Sequence, residues 1–260
     1  MTHSIRACWT SFGQFAATFG GFQMFSLRLL PYLPKAILRP RLIIEQIYSI
    51  GALSLVLIMF GGFFVGTVLA LQSYSTLVEF GQVDSLGAFA SEALVRELGP
   101  VVATLLFVGR AGSAVASEVG LMRATNQIAA MELMAVDPIQ RLIAPRFIAG
   151  VISVPLLVAI FCTVGVLGAY LIGVNQLGVD SGAFWSHIQD RVDLYEDVGS
   201  GMFKSLIFGI SASLMGVYEG YFAEPTAAGV SRAATRTVVI TSVWILLFDF
   251  ILTGLAMPGV

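Results

Sequence analysis

The chain has 260 residues, of which 57% are hydrophobic and only 12% are Asp, Glu, Lys or Arg. Soluble domains contain about 45–50% apolar and about 25% charged residues, so a water-soluble protein of this length is excluded. The net charge of −2 gives no reason to expect nucleic acid or another polyanion as a partner. The composition predicts an all-α integral membrane protein.

Residues 1–45 precede the first apolar segment and are predicted to form an interfacial helix followed by an elbow. Large apolar side chains recur every three, four or seven residues, which is the period of one helix face. They are Trp9, Phe12, Phe15, Phe19, Phe22 and Leu29. The prolines and arginines of residues 31–41 then break the helix. The short apolar core and small-residue cleavage site of a signal peptide are not evident.

Five apolar segments are long enough to cross a bilayer, for which about 20 residues are needed. The first contains no charged residue and the third only Arg146 at its first position, whereas the other three contain charges within or near the apolar stretch. The predicted spans are 46–75, 86–116, 146–175, 198–222 and 237–257.

The distribution of Lys and Arg predicts the orientation, because basic residues concentrate in cytoplasmic segments. They occur before the first span, in 117–146 and in 223–236, whereas the loop at 74–85 has none. The segment 180–197 holds Arg191 among five acidic residues and is predicted to be periplasmic. The N-terminus is therefore expected in the cytoplasm and the C-terminus in the periplasm.

The second span carries charges that are costly inside a bilayer. Glu92 and Arg96 are four residues apart and share a helix face, to which Arg110 is expected to return after fourteen residues. Pro100 has no N–H for the carbonyl of Arg96, so the helix should kink there. These groups form either a structural ion pair or, as we favour, a polar station on a substrate route. Glu92 and Asp249, which lies in the fifth span, are possible intramembrane partners of that station.

Residues 117–141 are too polar to span the membrane and too apolar to form a simple loop. Sparse apolar residues and charges of both signs predict a cytoplasmic coupling segment, helix–turn–helix in form, that docks on another protein. An interfacial helix bound only to lipid is the alternative. Asp137 followed by Pro138 predicts the cap of the second helix.

No nucleotide or hydrolase motif occurs: GxxxxGK[ST], GxGxxG, GxSxG and HExxH are all absent. The two histidines and two cysteines are isolated. We therefore expect no catalytic residue, no metal site and no cofactor bound by this chain.

Several motifs resemble the MlaE-type (YrbE-type) permeases of lipid-transporting ABC systems. They are RELGP at 96–100, GRAGSA at 109–114, EVGLM at 118–122, VDP at 136–138, GTVLALQ at 66–72 and TAAGVSR at 226–232. The resemblance runs from about residue 45 to the C-terminus. One departure is Asn126, where many members have an acidic residue.

This resemblance implies a homodimer in the bacterial inner membrane that transports phospholipid and maintains outer-membrane lipid asymmetry. The implied partners are two cytoplasmic ATPase subunits that hold ATP and Mg, a STAS-domain regulator and a periplasmic MCE-domain hexamer. A lipid pocket between the subunits would be lined by Leu69, Gln72, Tyr74 and Leu77, with Arg96 and Glu97 near the headgroup. ATPase contacts are expected at Glu118, Met122, Arg123, Gln127 and Glu132.

Two other functions stay open. One is an ion-coupled carrier, with Glu92, Glu97, Asp249 and Arg96 as a relay; the other is a scaffold for an extracytoplasmic lipid-binding protein. Ion-coupled carriers commonly contain inverted repeats. Five spans do not divide into equal halves, and no repeat is visible, so a carrier is the less favoured hypothesis.

Overall fold

The computed structural model describes residues 20–256, and every regular element among them is helical. Five segments are long and apolar enough to cross a membrane, which confirms the predicted architecture. They are span one (Pro40–Glu79), span two (Val83–Ala124), span three (Ile139–Asn175), span four (Tyr195–Tyr221) and span five (Ala227–Leu255). Shorter helices cover residues 20–29, Leu33–Ile37, Gln127–Leu133 and Ser181–Arg191.

We call the side that carries the short helix Gln127–Leu133 the inner side, and the side that carries the connecting helix Ser181–Arg191 the outer side. The orientation predicted from the basic residues makes the inner side cytoplasmic and the outer side periplasmic.

The helices extend further on the inner side than the predicted spans. Residues 117–124 continue span two rather than beginning a separate coupling helix, and span five begins at Ala227 instead of 237. Neither stretch contains a proline or a cap that would stop the helix. The chain turns at Asn126, whose φ of 59° is a left-handed conformation that Asn tolerates better than most residues.

The predicted coupling segment 117–141 is therefore divided among three elements. Its separate part is the helix Gln127–Leu133, and residues from Ile139 onward already belong to span three. The side chain of Asp137 accepts a hydrogen bond from the Ile139 N–H at 2.9 Å, which confirms the predicted cap.

Span one is interrupted near its inner end. The helix Pro40–Ile50 gives way at Gly51 to a 3₁₀ turn, Ala52–Ser54, before the helix Leu55–Glu79 begins. A Cβ atom at Gly51 would lie 2.7 Å from the hydroxyl oxygen of Ser153 in span three. Glycine at this position allows span one to bend close to span three.

Arg110 compensates for this interruption. Its Nη1 donates hydrogen bonds to the carbonyl oxygens of Ser49 at 2.9 Å and Ile50 at 3.3 Å. It therefore does not join the polar station expected in span two. That expectation assumed 3.6 residues per turn, whereas the π turns Leu94–Leu98 and Val108–Gly112 are wider and change the helix register.

Spans one and three are in direct backbone contact. A Cβ atom at Gly66 would overlap the carbonyl group of Gly165, and one at Gly62 would lie 2.6 Å from the carbonyl oxygen of Phe161. Small residues let helices approach this closely where no hydrophobic effect drives them together. Spans one and three therefore pack backbone against backbone at these glycines.

The N-terminal helix, described from residue 20, packs on the inner end of span four. Phe25 and Leu29 are buried, and the Phe25 ring lies 5.6 Å from Tyr218 and 5.7 Å from Phe222 between centroids. The first four members of the predicted aromatic stripe, at positions 9, 12, 15 and 19, lie outside the described residues.

A cysteine-labelling experiment tests the orientation. In a variant without Cys8 and Cys162, we expect single cysteines at Gln82 and Asp190 to react with an impermeant maleimide in intact spheroplasts. A cysteine at Ala130 should react only after permeabilisation. All three positions are exposed, and Gln82 avoids the positive φ of 66° at Gly81. Labelling of Ala130 in sealed spheroplasts would contradict the five-span orientation.

Candidate functional site: a charged cluster joining spans two, four and five

A buried lysine of span four connects polar groups from three helices. The Lys204 ammonium donates hydrogen bonds to Glu97 Oε2 at 2.9 Å, to the Arg96 carbonyl oxygen at 3.1 Å and to Thr253 Oγ1 at 2.8 Å. These bonds use all three donors of a lysine. Only 5% of the Lys204 side chain is exposed, so protein groups supply the acceptors that water would supply at a surface.

The local sequence explains why a backbone carbonyl is available here. Pro100 has no N–H to donate to the carbonyl of Arg96, and the preceding residues Leu94–Leu98 form a π turn. This carbonyl instead accepts the hydrogen bond from Lys204. Pro100 makes the backbone irregular here, as the sequence predicts, and the Lys204 side chain of span four stabilises it.

Span five contributes Thr253 and Asp249. The Thr253 hydroxyl accepts a hydrogen bond from Lys204 and donates one to Glu97 Oε2 at 3.1 Å. Asp249 Oδ1 lies 3.4 Å from Lys204 Nζ, which is an ion-pair contact without a hydrogen bond. Because the ammonium has no donor left, charge attraction holds Asp249 in the cluster.

Arg96 forms the second half of the cluster. Its Nη1 lies 3.1 Å from Glu92 Oε1 and 3.4 Å from Asp197 Oδ1. The contact with Glu92 agrees with the shared helix face predicted from their spacing. Asp197 is nearly buried, and its other oxygen accepts the Asp193 N–H at 2.8 Å. The Arg96 side chain remains 39% exposed.

The charged cluster contains more acidic than basic groups. Its carboxylates are Glu92, Glu97, Asp197 and Asp249, and its cations are Arg96 and Lys204. Lys204 lies nine residues from the outer end of span four, about 13 Å at 1.5 Å per residue. The site is therefore in the outer half of the helix bundle, with an excess of negative charge.

Three members of the cluster were not predicted as site residues: Lys204, Asp197 and Thr253. Lys204 carried the strongest signal, because a lysine within an apolar span requires acceptors from its neighbours. Asp197 was grouped with the acids of the segment 180–197, and its burial could not be read from the sequence. Thr253 had no signal, since threonine is common in membrane helices.

The four residues predicted to line a lipid pocket lie on different surfaces of span one. Leu77 is buried with Leu86 and Val179, and Tyr74 packs against that group. Leu69 is half-buried against a second group near the outer side, whereas Gln72 is exposed. Leu69 and Leu77 thus pack against different groups of residues, and Gln72 lies on the outside of the bundle.

Two of the expected ATPase contacts are engaged within the chain. Glu118 Oε2 lies 3.3 Å from Nη2 of the buried Arg146, and Arg123 Nη1 donates a hydrogen bond to the Tyr221 carbonyl oxygen. Met122 is half-buried against the core. These residues stabilise the inner ends of spans two, three and four.

The short helix Gln127–Leu133 is more accessible. Gln127 and Glu132 are exposed, and Leu133 and Met134 at its end are 90% and 67% exposed. Next to it, a hydrogen bond to Asp137 raises the pKa of Tyr32 above its ordinary value and links the N-terminal elbow to this surface. On the inner side, Leu133 and Met134 therefore form an exposed apolar surface beside the acidic side chain of Glu132.

The model of a known family, described as Permease MlaE, matches residues 43–255. The chain belongs to the MlaE permease family. It is 47% identical to the intermembrane phospholipid transport system permease protein MlaE of Haemophilus influenzae, over 82% of each chain. It is 38% identical to a probable ABC transporter permease protein of Rickettsia typhi, over 93% of each chain.

This MlaE-family permease is also similar to a plant protein. The chloroplastic protein TRIGALACTOSYLDIACYLGLYCEROL 1 of Arabidopsis thaliana is 30% identical over 83% of this chain and 61% of its own length. The match to the family model, over residues 43–255, includes the residues that form the charged cluster.

Replacing Lys204 tests whether the cluster depends on its ammonium. Lys204→Met leaves Glu97 and Asp249 without their cation, and breaking a buried ion pair costs about 3–5 kcal/mol. Because Glu97 is 40% exposed, we expect the loss of stability to lie at the lower end of that range. Thermal unfolding of the purified permease in detergent should show a lower midpoint.

The double variant Lys204→Met, Glu97→Gln should recover part of the loss, because it removes one stranded charge. Lys35→Met, at an exposed position of the elbow, is the matched control and should unfold like the unsubstituted permease. Equal midpoints for Lys204→Met and this control would show that the ammonium does not hold the cluster together.

Proposed function

We propose that this chain is the permease subunit of an ABC-type transporter that moves phospholipid between the bacterial inner membrane and a periplasmic MCE-domain protein. Family membership and the name of the Haemophilus influenzae relative support phospholipid as the substrate. The transport would maintain outer-membrane lipid asymmetry. The chain would itself catalyse no reaction.

The observation that carries this proposal is the half-exposed side chain of Arg96 at the edge of a partly buried charged cluster. Both of its contacts within the chain involve the same nitrogen, Nη1. A guanidinium presents several donors in a planar fork that suits a phosphate. Glu97, 40% exposed beside it, is placed to accept a hydrogen bond from an ammonium headgroup.

The apolar part of the lipid would lie against exposed faces of spans one and five. Gln72 is exposed on span one together with Val68 and Leu71, and Phe250 is 78% exposed on span five. Leu69 borders this face. We propose that the permease is a homodimer, in which a second copy of the chain covers these surfaces and completes the lipid pocket.

Energy would come from partner subunits. We propose that two ATPase subunits, which hold ATP and Mg, dock on the inner side around Gln127 and Glu132, with a STAS-domain regulator bound to them. The periplasmic MCE hexamer would lie on the outer side, above the connecting helix Ser181–Arg191. The N-terminus would then be cytoplasmic and the C-terminus periplasmic.

One observation favours a second candidate, an ion-coupled carrier. The excess of carboxylates over cations in the charged cluster would suit a site that exchanges protons or cations. Copurification separates the candidates, because an ATPase and an MCE protein should accompany a transporter subunit, whereas a self-sufficient carrier would purify with neither.

Arg96→Ala tests the lipid site. We expect the complex to assemble, while copurifying phospholipid and outer-membrane barrier function decrease together, because the phosphate loses its fork of donors. Arg96→Lys should restore only part of the copurifying phospholipid and of the barrier function. An ammonium keeps the positive charge but lacks the planar donors of a guanidinium. Arg191→Ala, at an exposed position on the outer side, is the control. A complex of Arg96→Ala that retains and moves lipid normally would rule out this site.

Glu132→Lys tests the inner docking surface. Glu132 is exposed, so the folded permease should tolerate the change, while a like charge at an interface costs several kcal/mol. We expect less ATPase to copurify and ATP hydrolysis by the complex to fall. Glu79→Lys makes the same charge change on the outer side and should alter neither. Normal ATPase recovery with Glu132→Lys would place the contact elsewhere.

A further inference from the structure

An apolar groove opens on the outer half of the bundle, between spans three and four and away from the exposed face of span one. Its volume is about 350 Å³, within the range of small-molecule sites. Residues from both spans, from the π turn of span two and from the connecting helix line it. They include Val95, Ala159, Val166, Trp185, Gly201 and Met202. We call it the outer groove.

The walls of the outer groove are apolar because most of the lining side chains are hydrocarbon, and two of the polar side chains are hydrogen-bonded within the chain. The Thr163 hydroxyl donates to the Ala159 carbonyl oxygen at 2.8 Å, and the Cys162 thiol lies 3.7 Å from the Leu94 carbonyl oxygen. A ligand in the groove would therefore meet hydrocarbon surface and would need no polar atoms of its own.

The groove is continuous with the surface that spans three and four present to the membrane. Leu156 and Leu171 are exposed on span three, and Phe203 and Leu206 on span four. At the outer end Trp185 lines the groove, and its ring lies 5.5 Å from that of Tyr170. Aromatic residues of this kind concentrate where the hydrocarbon of a bilayer meets the headgroups. The groove thus begins at the headgroup level and enters the hydrocarbon region.

Its shape suits one alkyl chain better than a helix. The groove follows span three from Ala159 to Val166, about 10 Å at 1.5 Å per residue, and the small side chain of Ala159 leaves space within it. A helix with its side chains is about 10–12 Å wide and could insert only single side chains there. An acyl chain can lie in the groove along its length.

We propose that the outer groove binds one acyl chain of a membrane phospholipid as a retained structural lipid, separate from the lipid handled at the charged cluster. Val95 belongs to the π turn that also carries Arg96 and Glu97. The bound chain therefore packs against the back of the turn that positions the charged cluster. This site does not depend on transport.

Photolabelling tests the proposal directly. The permease complex is reconstituted in phosphatidylethanolamine and phosphatidylglycerol vesicles with a trace of phospholipid that carries a diazirine midway along one acyl chain. It is then extracted, washed extensively in detergent to remove exchangeable lipid, and irradiated. Mass spectrometry should find the label in residues 159–167 and at Met202, and little at Ile152, an exposed residue nearer the inner end of span three.

Two variants that fill the groove provide the control for occupancy. Ala159→Trp should reduce this labelling by about tenfold, which corresponds to a loss of about 1.4 kcal/mol in binding free energy. Thr163→Phe fills the exposed rim and should act in the same direction if Ala159→Trp assembles poorly. Ile152→Trp adds the same bulk outside the groove and should leave the labelling unchanged.

Three results would overturn the proposal. Labelling that is as strong at Ile152 as in the groove would indicate ordinary contact with bulk lipid. Loss of all label during washing would show that no lipid is retained. Labelling of the groove that persists undiminished in both groove-filling variants would place the chain elsewhere. Because the measurement concerns retained lipid, a failure here leaves the proposed transport function, tested at Arg96, unaffected.

Discussion

An ammonium group inside a membrane protein needs three acceptors, and the position of Lys204 on span four requires two neighbouring helices to provide them. Span two supplies a carboxylate and a backbone carbonyl, and span five supplies a hydroxyl. Each of these groups would be costly to bury alone. Spans two, four and five are therefore fixed relative to one another by a single cation, and the exposed guanidinium of Arg96 is held beside it.

The inner and outer halves of the bundle are held together by different means. On the inner side, Glu118 pairs with Arg146, Arg123 bonds the end of span four, and aromatic rings of the N-terminal helix cover Tyr218. Along its inner half, span five buries one face, which includes Ala233, Thr237 and Thr241. Toward its outer end, its polar contacts are those with the charged cluster. The cluster thus anchors the part of span five that apolar packing holds least.

Much of this fold followed from the sequence because hydrocarbon imposes simple rules. Length and charge distribution identified five spans, and Pro100 marked the irregular turn in span two. Helix ends were harder, since residues 117–124 carry polar side chains yet continue a helix whose backbone bonds are satisfied. Arg110 was misplaced because the two π turns change the register that a count of 3.6 residues assumes.

The candidate site was only partly accessible to sequence reasoning. Glu92, Arg96, Glu97 and Asp249 could be recognised as charges that a span must neutralise. The pairing of Glu97 and Asp249 with Lys204 depends on how three helices pack, which no local pattern encodes. The lining residues of span one came from a family resemblance, and one chain alone separates the buried Leu77 from the exposed Gln72.

The contact between spans one and three has a consequence for the position of the charges. Gly165 touches the backbone of span one, and a Cβ atom there would lie 2.7 Å from the side chain of Leu94. Leu94 begins the π turn that carries Arg96 two residues later. Span three contributes none of the charged groups of the cluster, yet its Gly165 lies against the first residue of the turn that carries Arg96. A hydrogen atom in place of a methyl group at position 165 thereby leaves room for Leu94 at the start of the turn that carries a guanidinium on another helix.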